Sequence, residues 1–458
     1  MGAGAVITSS GQAHYAHLLD STPWYKKSRL ILLNACILLL LITSSTNGYD
    51  GSMMNGLQSL EQWRSAFNNP AGGMLGLLNA IQNIGSLAGY PFAPYLSDGL
   101  GRKKTILIGA FIMTAATILQ TASQNVGMFI GARFLIGFGL TFCANAAPLL
   151  VSEIAYPSQR AALTSTYNSL WYAGSIIAAW TTYGTFRINS SWSWRIPSAL
   201  QGLPSVLQLA LIWFVPESPR WLISKGREER AVEIIAYYHA DGNRDDPLVS
   251  YQIEEIRTAI DLDRQSKQVG YLSLFRTPGN LRRIRIIVAL GFFSQWSGNG
   301  LISYYQNRVL DALGISGTST QLLINGILQI WNLAVSLVAS ALCERAGRRP
   351  LFIISCVGML VMWTAQTICF AEVSIHNTTP AAHAFIAFIF LYYGAYDLAF
   401  TPLIVSYVIE TKNRTLEETA VLFDGEDKVN QLEVAAQIAE THADDVKSDS
   451  ESGKGSGH

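Results

Sequence analysis

The amino-acid sequence predicts an all-α protein that crosses a membrane several times. Half of its 458 residues are hydrophobic and only 14% are charged, whereas a soluble domain carries about 25% charged residues. The mean hydropathy is +0.25. The apolar residues are gathered into runs of about 20, the length that an α-helix needs to cross the hydrocarbon core of a bilayer. A repeat in the hydrophilic connections, described below, divides these runs into two related bundles.

The composition argues against several other classes of protein. Lys and Arg together number 32, as do Asp and Glu, so the formal net charge is zero and no nucleic-acid partner is indicated. The 5 cysteines lie in or beside apolar runs without disulfide or metal-binding spacing, so no metal or cofactor is predicted. No nucleophile–base pair or phosphate-binding loop is recognisable, and the sequence does not predict an enzyme. The polar first 29 residues lack the short apolar core of a signal peptide, so the first apolar run is predicted to be a retained span.

The hydropathy pattern gives ten candidate spans, six before and four after a long hydrophilic stretch. They cover residues 30–49, 74–97, 104–123, 127–151, 163–186, 196–215, 284–307, 321–342, 351–371 and 382–408. This pattern predicts five regions along the chain. They are a cytoplasmic N-terminal tail at 1–29, a six-span bundle at 30–215, a cytoplasmic loop with short helices at 216–283, a four-span bundle at 284–408 and a mostly disordered cytoplasmic tail at 409–458.

Basic residues predict the orientation, because cytoplasmic loops of membrane proteins are enriched in Lys and Arg. The basic clusters between the spans all fall on one side of the membrane if both termini are cytoplasmic. They are Lys26, Lys27 and Arg29 before the first span, Arg102, Lys103 and Lys104 after the second, Arg160 after the fourth, and Arg345, Arg348 and Arg349 after the eighth. The predicted location is the plasma membrane, with the lipid bilayer as a partner.

Two hydrophilic motifs occur in both halves of the chain. The sequence SDGLGRKK at 97–104 is echoed by CERAGRRP at 343–350, each with an acid, a gap, Gly-Arg and a further base. The sequence PESPR at 216–220 is echoed by IETKNR at 409–414. The acids of the two motifs are 119 residues apart in the first half and 66 in the second. The difference corresponds to about two helices with their connections, so the second half is predicted to lack its last two spans, unless the IETKNR match is accidental.

Several motifs together resemble the sugar porter family of the major facilitator superfamily, most closely the fungal lactose-permease-like and hexose transporters. They are the two repeated motifs above, GYDGSMMNGLQ at 48–58, ARFLIGFG at 132–139, SEIAYPSQR at 152–160, SWRIPSALQGLPS at 193–205, PESPRWLISKGR at 216–227, FFSQWSGNGLISYY at 292–305 and ETKNRTLEE at 410–418. The resemblance implies two related bundles that rock around a central site. Such transporters continue past span ten into two more spans. Here Val408 follows Tyr407 where the family has Pro, and the resemblance implies that spans eleven and twelve are absent.

One acid and one base are placed at similar depths in the first bundle. Asp50 lies 21 residues beyond Arg29, and Arg133 lies six residues into the fourth span, so both fall near the outer face of the membrane. The spacing leaves two interpretations open: a buried ion pair, or an acid in contact with water and an arginine that reaches the interface. The resemblance implies that Asp50 takes up the transported proton and that Arg133 tunes its affinity. A facilitator without proton coupling remains an alternative.

Span seven carries polar and aromatic side chains suited to a sugar, whose hydroxyls pair with carboxamides and whose ring faces pack on aromatic rings. They are Gln295, Trp296, Asn299, Tyr304 and Tyr305. Polar contacts between helices and an interfacial aromatic belt are the alternative interpretation. The resemblance implies further sugar contacts from Asn168 in span five and Asn332 in span eight. The family's Gln-Gln-x-x-Gly-x-Asn pattern is altered here, because Ser294 replaces the first Gln and the Asn is displaced by one position.

Charged residues of the predicted cytoplasmic loops resemble the family's gating latch, in which acids and arginines pair when the inner gate is closed. They are Asp98, Arg102, Glu153, Arg160, Glu217, Arg220, Glu344, Arg345 and Arg348. The alternative is that these residues only fix the orientation. The glycine pairs Gly85/Gly89 and Gly127/Gly131 are predicted to permit close helix packing.

The sequence and the resemblance together predict a transporter of a mono- or disaccharide that works by alternating access, with proton symport favoured. The predicted partners are the sugar and protons. The alternative is a protein that does not transport, either a truncated splice or gene-model variant or a sugar sensor, because loss of two spans would expose helix faces made to pack on protein.

Overall fold

The computed structural model describes residues 24–267, 278–346, 348–376 and 378–403. Within these ranges the chain forms 18 α-helices and no β-strand, which confirms the predicted all-α class. The helices are α1 (Ser28–Ser59), α2 (Glu61–Ala66), α3 (Gly72–Gly89), α4 (Ala93–Leu100), α5 (Arg102–Thr121), α6 (Val126–Ile154), α7 (Arg160–Ser169), α8 (Trp171–Thr185), α9 (Trp192–Leu200), α10 (Leu203–Leu211), α11 (Pro219–Ser224), α12 (Glu228–His239), α13 (Pro247–Lys267), α14 (Pro278–Trp296), α15 (Asn299–Ala312), α16 (Thr318–Ala346), α17 (Arg348–His376) and α18 (Thr379–Leu403).

Seven segments of the described chain are helical, long and apolar enough to cross a membrane, as a multi-pass membrane protein requires. They are Ser28–Ser59, Arg102–Thr121, Val126–Ile154, Trp192–Phe214, Thr318–Ala339, Pro350–His376 and Thr379–Phe400. The segment Trp192–Phe214 consists of α9, α10 and a short 3-10 turn. The other three predicted spans, at 74–97, 163–186 and 284–307, are also each divided between two helices. The predicted tail at 409–458 and the Tyr407–Val408 junction lie outside the described residues.

Two of these divisions have a cause in the sequence. Pro91 and Pro94 lie where α3 gives way to α4, and proline lacks the N–H group that a helix interior requires. Gly298 separates α14 from α15 with a φ of 96°, a left-handed conformation that favours glycine. A Cβ atom at Gly298 would also lie 2.9 Å from the ring of Trp363. The break therefore puts the predicted sugar contacts Gln295 and Asn299 on two different helices.

Glycines let the helices of the first bundle approach each other closely. A Cβ atom on Gly85 in α3 would lie 2.1 Å from the backbone oxygen of Phe134, and one on Gly137 in α6 would lie 1.9 Å from that of Gln82. Gly89 is also packed against α6, whereas a Cβ atom on Gly131 would meet nothing within 4 Å. The packing role predicted for Gly85 and Gly89 is therefore confirmed. That predicted for Gly127 and Gly131 is wrong, because a Cβ atom on Gly127 would meet only Asn125 Oδ1, at the start of its own helix, at 3.5 Å.

The second bundle has its own apolar core, formed by buried side chains of α15, α16, α17 and α18 such as Ile302, Leu328 and Ile389. Helix α17 lies at the periphery of this bundle. Only 28% of its most apolar window is buried, compared with 61% for α6 in the first bundle. Its outward face presents apolar side chains, including Ile353 and Leu360, to the surroundings. Such a face suits contact with lipid.

Helices α11, α12 and α13 pack together through a small core that includes Trp221, Leu222 and Ile235. They attach to the first bundle through His239, the last residue of α12. Its imidazole Nε2 lies 3.1 Å from the backbone oxygen of Ile154 at the end of α6, and its Nδ1 lies 2.9 Å from Gln252 Oε1. Burial lowers the pKa of His239, against the raising effect of these two hydrogen bonds. Burial therefore disfavours the protonated ring in the folded protein.

We expect His239 to make the folded protein less stable in mild acid. Because its folded pKa is lowered, the unfolded chain takes up a proton near the ordinary pKa of about 6.5 that the folded chain resists. Above about pH 6.5 the neutral ring imposes no penalty on folding. As the pH falls from there toward the folded pKa, the free energy of unfolding decreases by up to about 1.4 kcal/mol per pH unit. The apparent Tm of the purified protein, measured between pH 7.5 and 5.5, checks this.

The substitution His239→Gln should flatten that pH dependence, because glutamine does not titrate. His376→Gln is the matched control, since His376 is exposed and its ring lies 3.8 Å from Glu372 in the same helix. An equal flattening by both substitutions would show that the dependence does not come from the buried ring.

Candidate functional site

A cavity of about 660 Å³ lies between the two bundles. Helices α1, α3, α6, α7 and α8 line it from the first bundle, and α14, α15, α16 and α18 line it from the second. The lining residues are Thr43, Ser44, Asn47, Gly51, Ser52, Asn55, Gln82, Asn83, Ala144, Tyr167, Trp171, Tyr172, Gln295, Asn299, Gly300, Ser303, Tyr304, Gln306, Gln329, Asn332, Tyr393, Tyr396 and Phe400. None of these lining side chains, all within the described residues, carries a formal charge.

Four of the predicted sugar contacts line this cavity: Gln295, Asn299, Tyr304 and Asn332. Asn332 is only 1% exposed, and its Oδ1 has no hydrogen-bond partner among the described residues. The same holds for Oε1 of Gln329, one helical turn earlier in α16. Buried polar atoms are normally paired in folded proteins. These two oxygens are closed off from water-sized molecules in this conformation, so they would accept hydrogen bonds from a bound molecule only after rotation of the side chain or of its carboxamide group.

Two further predicted sugar contacts, Trp296 and Tyr305, do not line the cavity, and the side chain of the third, Asn168 in α7, is outside the described part of the structure. Trp296 is 76% exposed and its ring packs on Phe292, with 4.2 Å between the ring centroids. Tyr305 packs against the apolar cluster of the first bundle that includes Leu75. Trp296 and Tyr305 are therefore not included in the site proposed below.

Further cavity residues were not among the predicted contacts. Tyr393 and Tyr396 come from α18, and the hydroxyl of Tyr393 lies 2.8 Å from Ser303 Oγ. Ser303 Oγ also donates to Asn299 Oδ1 at 2.9 Å. Hydrogen bonds thus connect α15 with α18 along one wall. On the opposite wall, Asn83 Nδ2 donates to the hydroxyl of Tyr304 at 3.3 Å, across the two bundles.

The bundles contact each other on both sides of the cavity. Near the end of α1, Ser59 Oγ donates to Gln321 Oε1 at 3.1 Å and Gln58 Nε2 donates to the backbone oxygen of Tyr304 at 3.3 Å. On the other side, Ser336 Oγ donates to Ser169 Oγ at 3.1 Å. The hydroxyl of Tyr172 in α8 also donates to the carboxylate of Asp397 in α18.

These inter-bundle bonds join side chains and backbone groups of separate helices, so each set must break if the bundles are to separate at that end. The cavity is therefore flanked by two sets of hydrogen bonds between the bundles.

Asp50 and Arg133 form a buried ion pair in the first bundle. Arg133 donates from Nη1 to Asp50 Oδ1 at 3.1 Å and from Nη2 to Oδ2 at 3.0 Å. The side chains are 1% and 2% exposed, respectively. Gln201 Nε2 donates to the same Oδ1 at 2.6 Å, and Arg133 Nε donates to the backbone oxygen of Leu78 at 3.0 Å. Of the two interpretations that the sequence left open, the buried pair is the one the structure contains.

The sequence matches the family described as sugar (and other) transporter over residues 36–423. The chain belongs to this family. The match confirms the resemblance to sugar porters, which are transporters and not enzymes.

Curated relatives of this sugar transporter family member come from fungi, among other organisms. The high-affinity glucose transporter of Kluyveromyces lactis is 30% identical over 312 residues, which cover 68% of this chain and 56% of that protein. The MFS-type transporter oryC of Aspergillus oryzae is 32% identical over 331 residues, which cover 71% and 61%. The chain thus spans little more than half the length of the first curated relatives that it matches.

Solved structures confirm the fold of this sugar transporter family member. The xylose transporter XylE from E. coli, in a partially occluded inward-open conformation, matches with a TM-score of 0.67 at 22% identity, over 81% of this chain and 86% of that chain. At this level of identity the likeness establishes the major facilitator superfamily fold.

Four of the predicted gating residues meet at the end of the first bundle where α5 begins. Arg102 donates from Nε and Nη2 to the carboxylate of Glu153 at 3.1 and 3.2 Å, and its Nη1 lies 3.3 Å from Asp98 Oδ1. Glu217 accepts the backbone N–H groups of Arg102 at 3.1 Å and Lys103 at 3.3 Å, and so caps the start of α5. Burial raises the pKa of Glu217, against the lowering effect of these N–H donors and of Arg102.

The remaining predicted gating residues lie on other elements. Arg160 is the first residue of α7, and Arg220 lies in α11. Glu344 and Arg345 lie in the last turn of α16 and Arg348 begins α17, but their side chains are outside the described part of the structure. The latch proper, between the two bundles, therefore stays a prediction.

Proposed function

We propose that this protein binds a neutral sugar in the cavity between its bundles and carries it across the membrane by alternating access. One observation carries the proposal: a cavity of about 660 Å³ whose lining is rich in carboxamides and hydroxyls and has no charged side chain. Carboxamides both donate and accept hydrogen bonds, which suits a molecule covered with hydroxyl groups. The volume lies in the range of about 300–1,000 Å³ that is usual for small-molecule sites.

The proposed contacts are divided between the bundles. Asn332 and Gln329 in α16 would accept hydrogen bonds from sugar hydroxyls. The carboxamide oxygens of both residues have no partner in the described part of the chain. Gln295 and Asn299 would contribute from α14 and α15, and Trp171 would cover an apolar ring face from the first bundle. A sugar held by both bundles is released when one set of inter-bundle bonds opens, which is the essence of alternating access.

Proton symport is the coupling that the buried pair of Asp50 and Arg133 favours. A carboxylate held by an arginine inside a membrane bundle is costly and usually functional. Protonation of Asp50 would weaken both hydrogen bonds from Arg133 and release α6 from α1. In the proposed orientation both termini are cytoplasmic and the protein lies in the plasma membrane.

Sugar binding by the purified protein is the direct test. We expect a hydroxyl-rich neutral ligand such as glucose, xylose or lactose to bind, and the carboxylated polyol gluconate to bind at least tenfold more weakly, because a carboxylate would be buried without a cation. Asn332→Leu should weaken sugar binding by about 10-fold or more, since it removes a buried acceptor and leaves ligand hydroxyls unpaired. Isothermal titration calorimetry measures both effects.

Gln366→Leu is the matched control for that substitution. Gln366 is also a buried carboxamide of the second bundle, but it donates to the backbone oxygen of Phe388 at 3.0 Å and does not line the cavity. Equal loss of binding in both variants, or tighter binding of gluconate than of any sugar, would contradict the proposed site. Binding without uptake by transport-deficient cells would favour the alternative of a sugar-binding protein that does not transport.

A further inference from the structure

A second cavity, of about 650 Å³, lies outside the sugar site, and we call it the interface groove. It is bounded by the start of α5, by the segment 212–217 that follows α10, and by one face of α12. Two candidate spans meet here, because Trp192–Phe214 ends at the groove and Arg102–Thr121 begins at it. The groove therefore lies at the level where the chain passes from the hydrocarbon of the bilayer to its headgroups.

One wall of the interface groove is basic. Lys104, Arg227 and Arg230 all line it and are all exposed. Lys103 adds a fourth cation, close enough to Arg230 for the two charges to repel each other. Like charges held together without a ligand are unfavourable. Their gathering in one groove therefore points to an anion that would lie among them.

The two acids that line the groove each have other partners, although Glu217 also attracts Lys103 more strongly than Arg230 repels it. Glu217 accepts the backbone N–H groups at the start of α5, and Glu233 is paired with Arg244 at 2.7 Å. The ammonium group of Lys103 is also hydrogen-bonded, since Nζ donates to the backbone oxygens of Trp213 at 2.8 Å and Val215 at 3.0 Å. Lys104, Arg227 and Arg230 are the cations that face the groove from its exposed side.

The other wall of the interface groove is apolar and exposed. Trp213 is 64% exposed, Phe214 is 73% exposed and Leu100 is 41% exposed. Aromatic side chains at this depth are typical of the interfacial belt of membrane proteins. A free phosphate would satisfy only the basic wall and leave these side chains uncovered, whereas a phospholipid has a part for each wall.

We propose that the interface groove binds one anionic phospholipid. Its phosphate and acidic headgroup lie among Lys104, Arg227 and Arg230, and its acyl chains run along Trp213 and Phe214. Such a lipid would bridge α12 to the base of α5 and so hold the loop helices against the first bundle. The proposal involves only residues 100–238 and does not depend on sugar transport.

Native mass spectrometry of the delipidated full chain tests this proposal. We expect phosphatidylserine to bind at least tenfold more tightly than phosphatidylcholine with the same acyl chains. The double substitution Lys104→Gln/Arg230→Gln should lower phosphatidylserine binding by about 10-fold or more, since each basic residue near an acidic membrane surface contributes about fivefold in affinity and two are removed. Both side chains are exposed, so the fold should be retained, and size-exclusion chromatography checks that it is.

Arg187→Gln/Arg308→Gln is the matched control, because it removes two exposed arginines that do not line the groove. It should leave phosphatidylserine binding unchanged. Inorganic phosphate at millimolar concentration should not displace the lipid. The proposal fails if the two lipids bind equally, if both double variants bind alike, or if phosphate alone displaces the lipid, which would indicate a site for a free anion.

Discussion

Replacing Arg133 by leucine should greatly reduce the amount of folded protein. The substitution leaves the carboxylate of Asp50 buried at 1% exposure with only Gln201 to pair with it among the contacts described above. Breaking a buried ion pair by removal of one partner costs about 3–5 kcal/mol, because the remaining charge is left uncompensated. It also removes the hydrogen bond from Arg133 to the backbone of α3. The yield of monodisperse protein in size-exclusion chromatography and its apparent Tm measure the loss.

A double substitution distinguishes the effect of the uncompensated charge from the effect of losing the arginine side chain. Asp50→Asn/Arg133→Leu removes the charges of both partners, so it should recover much of the yield lost by Arg133→Leu alone. Arg187→Leu is the control for loss of an arginine, since Arg187 is exposed and should be replaceable within about 0.5 kcal/mol. If the double variant is no better than Arg133→Leu, the uncompensated carboxylate is not the cause of the instability.

The same pair of residues also tests proton coupling. Asp50→Asn keeps the shape of the side chain and an acceptor for Gln201, but it cannot bind and release a proton in the physiological range. The yield of this variant should also fall, because Arg133 is left buried without its counter-charge. We expect the protein that does fold to bind sugar as the unaltered chain does, because Asp50 does not line the cavity. It should fail to accumulate sugar against a gradient. Accumulation that is unchanged, and still abolished by a protonophore, would place the coupling proton on another group.

The ion pair shows which features of the site can be predicted from the sequence and which cannot. Helix rise alone put Asp50 and Arg133 at similar depths, because depth along a span follows directly from residue number. It could not decide whether they face each other, since that depends on the rotation of each helix about its axis. Gln201 was not predicted at all. It lies on a third helix segment, and nothing in its sequence surroundings indicates which neighbour it faces.

The unknown rotation of each helix also explains why only some of the predicted sugar contacts line the cavity. Successive residues on a helix differ by about 100° in direction, so Gln295 can line the cavity while Trp296 faces outward. Tyr304 and Tyr305 also differ in direction, but at a kink of α15, where Tyr305 has a non-helical φ of −128°. Where the structure departs from a simple helix, at Gly298, the sequence could not provide the register of Asn299 relative to Gln295.

One signal in the sequence could have found more of the cavity. Polar residues recur in α16 at intervals of three or four, which is the spacing of one helix face. They are Gln321, Asn325, Gln329, Asn332 and Ser336. A polar stripe of this kind inside an apolar span is expensive against lipid. In the structure Gln321 and Asn325 form hydrogen bonds with Ser59 and Ser52 of α1. Gln329 and Asn332 line the cavity, and Ser336 contacts Ser169.

Gly137→Leu should prevent the first bundle from closing, with little folded protein recovered. A Cβ atom at this position would lie 1.9 Å from the backbone oxygen of Gln82 and 2.8 Å from its carbonyl carbon. Overpacking typically costs about 1–3 kcal/mol where side chains can shift. Here the obstacle is the backbone of α3, so the two helices themselves must move apart. Such a displacement would also break the hydrogen bond of 3.0 Å from Ser86 Oγ to the Gly137 oxygen.

The same helix offers a closely matched control. Gly131 in α6 is two turns from Gly137, and a Cβ atom there would meet nothing within 4 Å. Gly131→Leu should therefore give folded protein in nearly normal yield, although each variant replaces one glycine of the same helix by the same side chain. Because Arg133 lies between these positions and donates to the backbone of α3, the displacement caused by Gly137→Leu should also disturb the ion pair with Asp50. Similar yields for the two variants would mean that close approach of α3 and α6 does not stabilise the bundle.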